Sequence, residues 1–151
     1  MLIRAATMED LPTLLELEQA VVEAERPFNN AIKAEDAIYY DINSLINDSN
    51  ALMAVIEYQG QIIATGYSQI RASKVSLSHT QHGYLGFMYV SPDYRGQGLN
   101  KRLIDHLIKW TTQQGINDLY LDVYSNNAAA IKAYEKVGFT QSMVEMKLSL
   151  D

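Results

Sequence analysis

The stretch Tyr89-Val90-Ser91-Pro92-Asp93-Tyr94-Arg95-Gly96-Gln97-Gly98-Leu99-Asn100 constrains this chain more than any other. Upstream, Tyr84 to Val90 reads as a strand stopped by Ser91-Pro92-Asp93. Downstream, Leu99, Leu103, Ile104, Leu107 and Ile108 recur at helical spacing. Two glycines therefore sit where a strand hands over to a strongly amphipathic helix. Glycine lets backbone approach a ligand closely, and successive amide N–H groups at a helix start bind anionic oxygens. Arg95 adds a fixed positive charge. The same residues also make an ordinary strand–turn–helix connection with a surface arginine, and the glycines alone do not separate the two readings. Two better-known phosphate loops are excluded. No hydroxyl residue follows Lys101, and Lys101 stands where G-x-G-x-x-G has its third glycine.

The remaining elements fall around this block. Leu2 to Ala5 reads as a first strand. Thr7 is placed to cap a helix running to about Glu25, with Leu11, Leu14, Leu15, Val21 and Val22 on its apolar face and Glu9, Glu16, Glu18 and Glu23 on its other sides. Arg26-Pro27-Phe28-Asn29-Asn30 is a loop. The spacing of Ile38, Ile42, Leu45 and Ile46 predicts a second helix over Ala34 to Asn47. Ala51 to Tyr58 and Gln61 to Arg71 form a hairpin about Gln59-Gly60, and 72–82 is a loop or hairpin end. Beyond the long helix, closed by Gly115, residues 118–124 alternate as a strand. Leu119, Leu121 and Val123 lie on one face, and Tyr120, Asp122 and Tyr124 on the other. Ala128 to Val137 is a helix closed by Gly138, and Phe139 to Leu150 is read as a last strand. This order makes one α+β domain over residues 1–151 with a central mixed sheet.

Composition removes several function classes. The chain has 151 residues, 48% of them hydrophobic, which suits one domain with a sizeable core. It has no cysteine, so disulfides, zinc ribbons and thiol nucleophiles are excluded. A net charge of −6 opposes generic nucleic-acid binding. No apolar run reaches the roughly 18–20 residues of a membrane helix, and Met1-Leu2-Ile3-Arg4 lacks signal-peptide character. The expectation is a cytoplasmic protein with neither nucleic-acid nor membrane partners, as a monomer or homodimer. His79, His82 and His106 are not at metal-ligand spacing, so no metal site is expected. Trp110 and the pair Tyr39-Tyr40 read as packing.

A second block is Asn126-Asn127-Ala128-Ala129-Ala130-Ile131-Lys132-Ala133-Tyr134-Glu135-Lys136-Val137-Gly138-Phe139. Asn127, Ala130, Tyr134, Gly138 and Phe139 match the pattern Asn-x-x-Ala-(x)3-Tyr-(x)3-Gly-Phe. Arg95, Gly98 and, imperfectly, Asn100 match [Arg/Gln]-x-x-Gly-x-[Gly/Ala]. With both motifs in register, one helix and one strand apart, the sequence resembles the GNAT superfamily of Gcn5-related N-acetyltransferases. The resemblance follows the order of elements throughout and is most specific over residues 84–139.

The resemblance implies a GNAT-like mixed, mostly antiparallel sheet flanked by about four helices, with a splayed pair of strands holding acyl-CoA. It implies acetyl-CoA as co-substrate and a small-molecule or peptide amine as acceptor, acetylated by direct attack in a ternary complex. It places the backbone of Met88, Tyr89 and Val90 against the pantetheine arm. It assigns Arg95, Gly96, Gln97, Gly98, Leu99 and Asn100 to the pyrophosphate and Asn127 to the pantetheine region. Tyr134 becomes the general acid for the departing thiolate. Read as residues alone, Tyr134 packs in a core, and Asn127 caps the helix that follows it, a role compatible with ligand binding.

Two departures matter. Asn100 replaces the usual small residue, although its amide can donate to phosphate. Phe87 stands where many family members carry a Glu general base, and no carboxylate occurs between Glu57 and Asp93. Asp122 and Tyr124 are then candidates for relaying the amine proton through water, with a hydrogen-bonded strand carboxylate as the alternative for Asp122. A non-catalytic acyl-CoA sensor domain is the competing function.

Overall fold

Gln59 and Gly60 both adopt left-handed backbone, with φ of 51° and 77°. Two successive residues of this kind form the tight turn whose twist matches that of paired strands. It joins β2 (Ala51–Tyr58) to β3 (Gln61–Ala72), the centre of the sheet in a computed structural model that describes residues 1–151. β1 (Leu2–Ala5) pairs antiparallel with β2, and β4 (Gln81–Val90) antiparallel with β3. β5 (Leu119–Tyr120) joins β4 in parallel, giving the order β1-β2-β3-β4-β5.

Both faces of the sheet are covered. Met53, Val55 and Tyr67 pack with Leu14 and Val21 of α1 (Leu11–Glu25) and with Ile42 and Leu45 of α2 (Ile42–Asn47). Ala54, Ile56, Ile63 and Leu85 pack with Leu99, Leu103, Ile104 and Leu107 of α3 (Leu99–Gln113). α4 (Ala128–Val137) lies on the α3 side, where Tyr134 and Val137 join that cluster. The period of two along β2 sends alternate residues to opposite layers, so the strand is apolar on both faces. This is the expected mixed sheet with four helices. No helix is long and apolar enough to cross a membrane.

β4 breaks its own alternation. Tyr84 faces the α1 layer and Leu85 the α3 layer, yet Phe87 is back in the α1 layer and Met88 in the α3 layer. The register shows why: Thr65 pairs with Tyr89 and Tyr67 with Gly86, so Phe87 and Met88 together oppose Gly66 in a bulge. Phe87 holds φ at 54°, a conformation costing a side-chain-bearing residue about 1–2 kcal/mol. Burying its ring, which is 1% exposed and stacked on Tyr40 at 4.9 Å, returns about 1.5–3 kcal/mol. The Thr65 hydroxyl donates to the Phe87 carbonyl at 2.8 Å and fixes the kink. Gly86 admits Tyr67 where a Cβ would lie 2.5 Å from its ring.

Three expectations are corrected. Helix α2 begins at Ile42, not Ala34, capped by Asp41, which accepts the Ser44 N–H at 3.1 Å. The segment before it is irregular because Glu18, 1% exposed, accepts the backbone N–H groups of Tyr39 and Tyr40 at 2.9 and 2.8 Å. Glu18 is thus a buried anchor rather than a solvent-facing residue, and Ile38 is 76% exposed. Second, only Leu119 and Tyr120 of 118–124 form a strand, since the bulge carries the later part of β4 away. Third, residues 140–151 form no strand, and their side chains are exposed.

Candidate active site

The consequence of the bulge is a gap. β4 and β5 are paired at Gly83 and Tyr84 only, against Leu119 and Tyr120, and they separate beyond that point. A cleft of about 420 Å³ opens along Met88, Tyr89 and Val90. Its floor is the start of α3, one wall is α4, and the other wall is the end of α1.

The pyrophosphate end is built locally. A short 3-10 turn (Pro92–Tyr94) follows β4, and then Gly96 and Gly98 take φ of 79° and 77°. No atom lies within 4 Å of a Cβ built at either glycine, so the loop leaves open space above the helix start. Gly98 is the N-cap and makes no side-chain cap, which leaves the first N–H groups of a 15-residue helix free for an anion. Arg95 is held by its Nε donating to the Val90 carbonyl at 2.9 Å, with its guanidinium 5.6 Å from the Tyr89 ring centroid. Its terminal amino groups remain available. This combination of free amides, cation and open cradle fits a diphosphate.

Met88, Tyr89, Val90, Arg95, Gly96, Gly98, Leu99, Asn100, Asn127 and Tyr134, from both sequence blocks, line this one cleft. Gln97 is exposed and lies outside the lining. The Asn127 side chain accepts the Ala130 N–H at 3.3 Å, so it caps α4 while also facing the cleft. Tyr134 packs edge-to-face with Phe139 at 6.0 Å. Burial, and then the negative charge of Glu25, push its phenol up to about 12.

Asp122 and Tyr124 are placed differently. The Asp122 carboxylate accepts the Tyr84 hydroxyl at 2.8 Å at an exposed position outside the cleft. The Tyr124 hydroxyl accepts from Asn29 at 3.1 Å, and its ring stacks with Phe28 at 6.4 Å. Phe28 does line the cleft, so Tyr124 backs its far end. No group of three or more His, Cys, Asp or Glu side chains is placed to hold a metal ion. His79 and His82 share the Ser73 hydroxyl at 2.7 and 2.9 Å.

Sequence reasoning missed the α1 wall, formed by Val21, Ala24, Glu25 and Phe28. Glu25 is the informative member. It is the last residue of α1, and burial raises its carboxyl above the ordinary value. The Tyr39 hydroxyl is buried beside it without a hydrogen bond of good geometry. A glutamate immediately before Arg-Pro, where a helix must stop, was the available signal.

A sheet split by a bulge, with a glycine loop and helix start at one end and a tyrosine at the other, defines an acyl-CoA-binding acetyltransferase class. The acetyltransferase (GNAT) family matches residues 16–139, and the chain belongs to that family. It is 44% identical over 55 residues to the ribosomal protein bS18 alanine N-acetyltransferase of Escherichia coli K12, covering 36% of this chain and only 37% of that relative. The protein of the same name from Haemophilus ducreyi is 30% identical over 122 residues, 78% of this chain and 79% of its own length. Among solved structures, a tetramutant of the BH1408 protein from Bacillus halodurans superimposes with a TM-score of 0.86, at 20% identity over 99% of this chain and 100% of that one. A predicted acetyltransferase from Clostridium acetobutylicum, solved with acetyl-CoA, gives 0.73 at 21% identity, over 99% and 96%. At these identities the structures establish the fold.

Proposed function

We propose that the protein transfers acetyl from acetyl-CoA to a primary amine by direct attack, and that the acceptor is the α-amine of a peptide or protein. The observation that carries the reading is the single cleft in which both sequence blocks meet a half-buried carboxylate. Gly96 to Asn100 and Arg95 would hold the pyrophosphate, with the Asn100 amide as a further donor. The splayed backbone of Met88 to Val90 would pair with the pantetheine arm and polarise the thioester carbonyl, a role worth roughly 3–4 kcal/mol elsewhere. When bound, acetyl-CoA supplies the activated acyl group. The chain has no cysteine to carry an acyl intermediate.

Glu25 takes the amine proton, directly or through a water bounded by Phe28 and Tyr124. Its raised pKa makes it a better base than an ordinary carboxylate. An α-amine, with a pKa of about 8, needs only such a modest base, whereas a lysine near 10.4 needs more. Tyr134 stays fully protonated at about 12. Full transfer of its proton to a thiolate of pKa about 8.5 is uphill, so it acts chiefly by donating a hydrogen bond as the thiolate develops. Part of its upward shift comes from the charge of Glu25. Protonation of Glu25 by the amine removes that charge and makes Tyr134 a stronger donor as the leaving group needs it.

The relatives named as alanine N-acetyltransferases support the α-amine acceptor. The test is release of CoA thiol with N-terminal peptides, polyamines and aminoglycosides, with the acetylated position located by mass spectrometry. Acetylation of a peptide N-terminus supports the reading. Turnover restricted to other amines overturns the acceptor, and tight acetyl-CoA binding without turnover on any amine favours the sensor domain.

A further inference from the structure

Tyr84 and Tyr120 are the last paired residues of β4 and β5 before the gap begins. The sheet face beside that point is polar and left open. Tyr67, Gln69 and Arg71 alternate onto it from β3, and Tyr84 reaches it from β4. Arg71 and Asp122 are exposed there, and Gln69 and Tyr84 are half-buried.

Arg71 is fixed in place on this shelf. Its Nε donates to the Gln69 side-chain oxygen at 3.0 Å, and its guanidinium carbon lies 4.0 Å from the Tyr84 ring centroid. Both contacts are themselves oriented. The Gln69 amide nitrogen donates to Asp48 at 3.2 Å, which turns the amide oxygen toward Arg71. The Tyr84 hydroxyl donates to Asp122 at 2.8 Å, which holds the ring and enriches its face for a cation. Yet no carboxylate forms an ion pair with Arg71. Arg4 and Arg26 differ, because Asp10 and the Lys33 and Ala34 carbonyls take their terminal nitrogens. Arg95 is the parallel, pinned through Nε beside a tyrosine ring with its terminal nitrogens left for an anion. The Tyr67 phenol also faces Arg71, and burial keeps it neutral.

We propose that Arg71 selects the acceptor by pairing with an acidic side chain at the second or third residue of the peptide. The inference rests on the α-amine acceptor proposed above. Tyr124 backs the amine end of the cleft, and Asp122 stands two residues from it, at most about 7 Å of chain. A peptide leaving the amine in this direction brings its second or third side chain onto the shelf. A carboxylate there meets a planar fork whose geometry is already set. Asp122 opposes the incoming charge, so the gain is that of an exposed ion pair, about fivefold. His79 and His82 face the neighbouring part of the shelf and are engaged by Ser73 and Tyr120.

The test uses three peptides with one common remainder and the N-termini Ala-Glu-Glu, Ala-Gln-Gln and Ala-Lys-Lys. CoA thiol release is followed at saturating acetyl-CoA. The wild type is expected to favour the acidic peptide over the neutral one about fivefold in kcat/KM, through KM rather than kcat, and to disfavour the basic one. Arg71→Gln should abolish the preference and Arg71→Glu reverse it, with the acetyl-CoA-induced thermal shift kept in both. Arg71→Lys should restore part of it, since the charge returns without the fork. Salt is an independent readout, because the wild-type preference should shrink as ionic strength rises. Equal rates on the three peptides, a preference indifferent to salt, or one that survives Arg71→Gln overturns the role of Arg71 and leaves α-amine acetylation standing. Failure to acetylate any peptide N-terminus overturns both.

Discussion

The two ends of the cleft are made in opposite ways. The pyrophosphate end is a single run of chain, residues 95–100, in which two left-handed glycines and a helix start do everything. The acceptor end gathers Glu25, Phe28, Tyr39 and Tyr124 from three distant segments. It is held by the Tyr39 and Tyr40 N–H groups donating to Glu18, the Asn29 side chain donating to Tyr124, and Tyr40 stacked on Phe87. A local anion site works with any acceptor, because the pyrophosphate never changes. Long-range assembly places Glu25, Phe28 and Tyr124 where each can change without disturbing the glycine loop at the other end.

The largest effect is expected from breaking the local end. Gly98→Glu forces a side chain onto a residue at φ 77° and sets a carboxylate among the amides. Acetyl-CoA affinity measured by calorimetry should fall by more than about 10²-fold, since the strain alone is about 1–2 kcal/mol and like-charge repulsion adds to it. Retained affinity would move the pyrophosphate away from this loop.

Tyr134→Phe comes next. Turnover should drop by on the order of 10²-fold while the acetyl-CoA thermal shift is kept. That contrast separates a proton donor from a packing residue, because the ring remains beside Phe139.

Glu25→Gln tests the distant end. The carboxylate must be ionised to accept a proton, so wild-type kcat/KM should rise as pH climbs through its raised pKa. The variant should lose that limb and about tenfold of the rate. The stability sign is opposite. A carboxyl whose folded pKa is raised ionises more readily in the unfolded chain, so the fold loses stability as pH rises from the ordinary value through the raised one. Glu25→Gln should therefore melt at or slightly above the wild-type temperature at neutral pH, which thermal denaturation reads directly.

Asp122→Asn should do least. Its carboxylate accepts one exposed hydroxyl, from Tyr84, a bond worth about 1 kcal/mol or less. A change in kcat/KM beyond about threefold would restore Asp122 as a proton relay.

The elements legible in the sequence were those whose signals are local. The Gln59-Gly60 hairpin, the amphipathic stripe of α3, the cap of α4 by Asn127 and the stop at Gly138 all appear where the residues place them. Ten of the eleven residues assigned to the cofactor meet in one cleft for the same reason. Misreadings arose where a distant partner overrode local preference. Residues 34–41 carry a helical pattern, yet the Glu18 carboxylate, 21 and 22 residues upstream of Tyr39 and Tyr40, captures two of their amides. Residues 118–124 and 139–150 alternate as strands, and pairing requires a neighbour that the alternation does not supply.

By itself the sequence determined the α+β layering, the glycine loop at the start of α3 and the positions of Asn127 and Tyr134, because period, turn chemistry and caps act over a few residues. Tertiary structure alone decided that β4 kinks at Phe87 with φ of 54°, since that strain is offset only by a ring buried against Tyr40. It also decided that Glu25, the last residue of α1, lines the same cleft as Tyr134. Which carboxylate has its pKa raised depends on which surfaces the packing leaves half dry, and burial is a property of the assembled layers rather than of any segment.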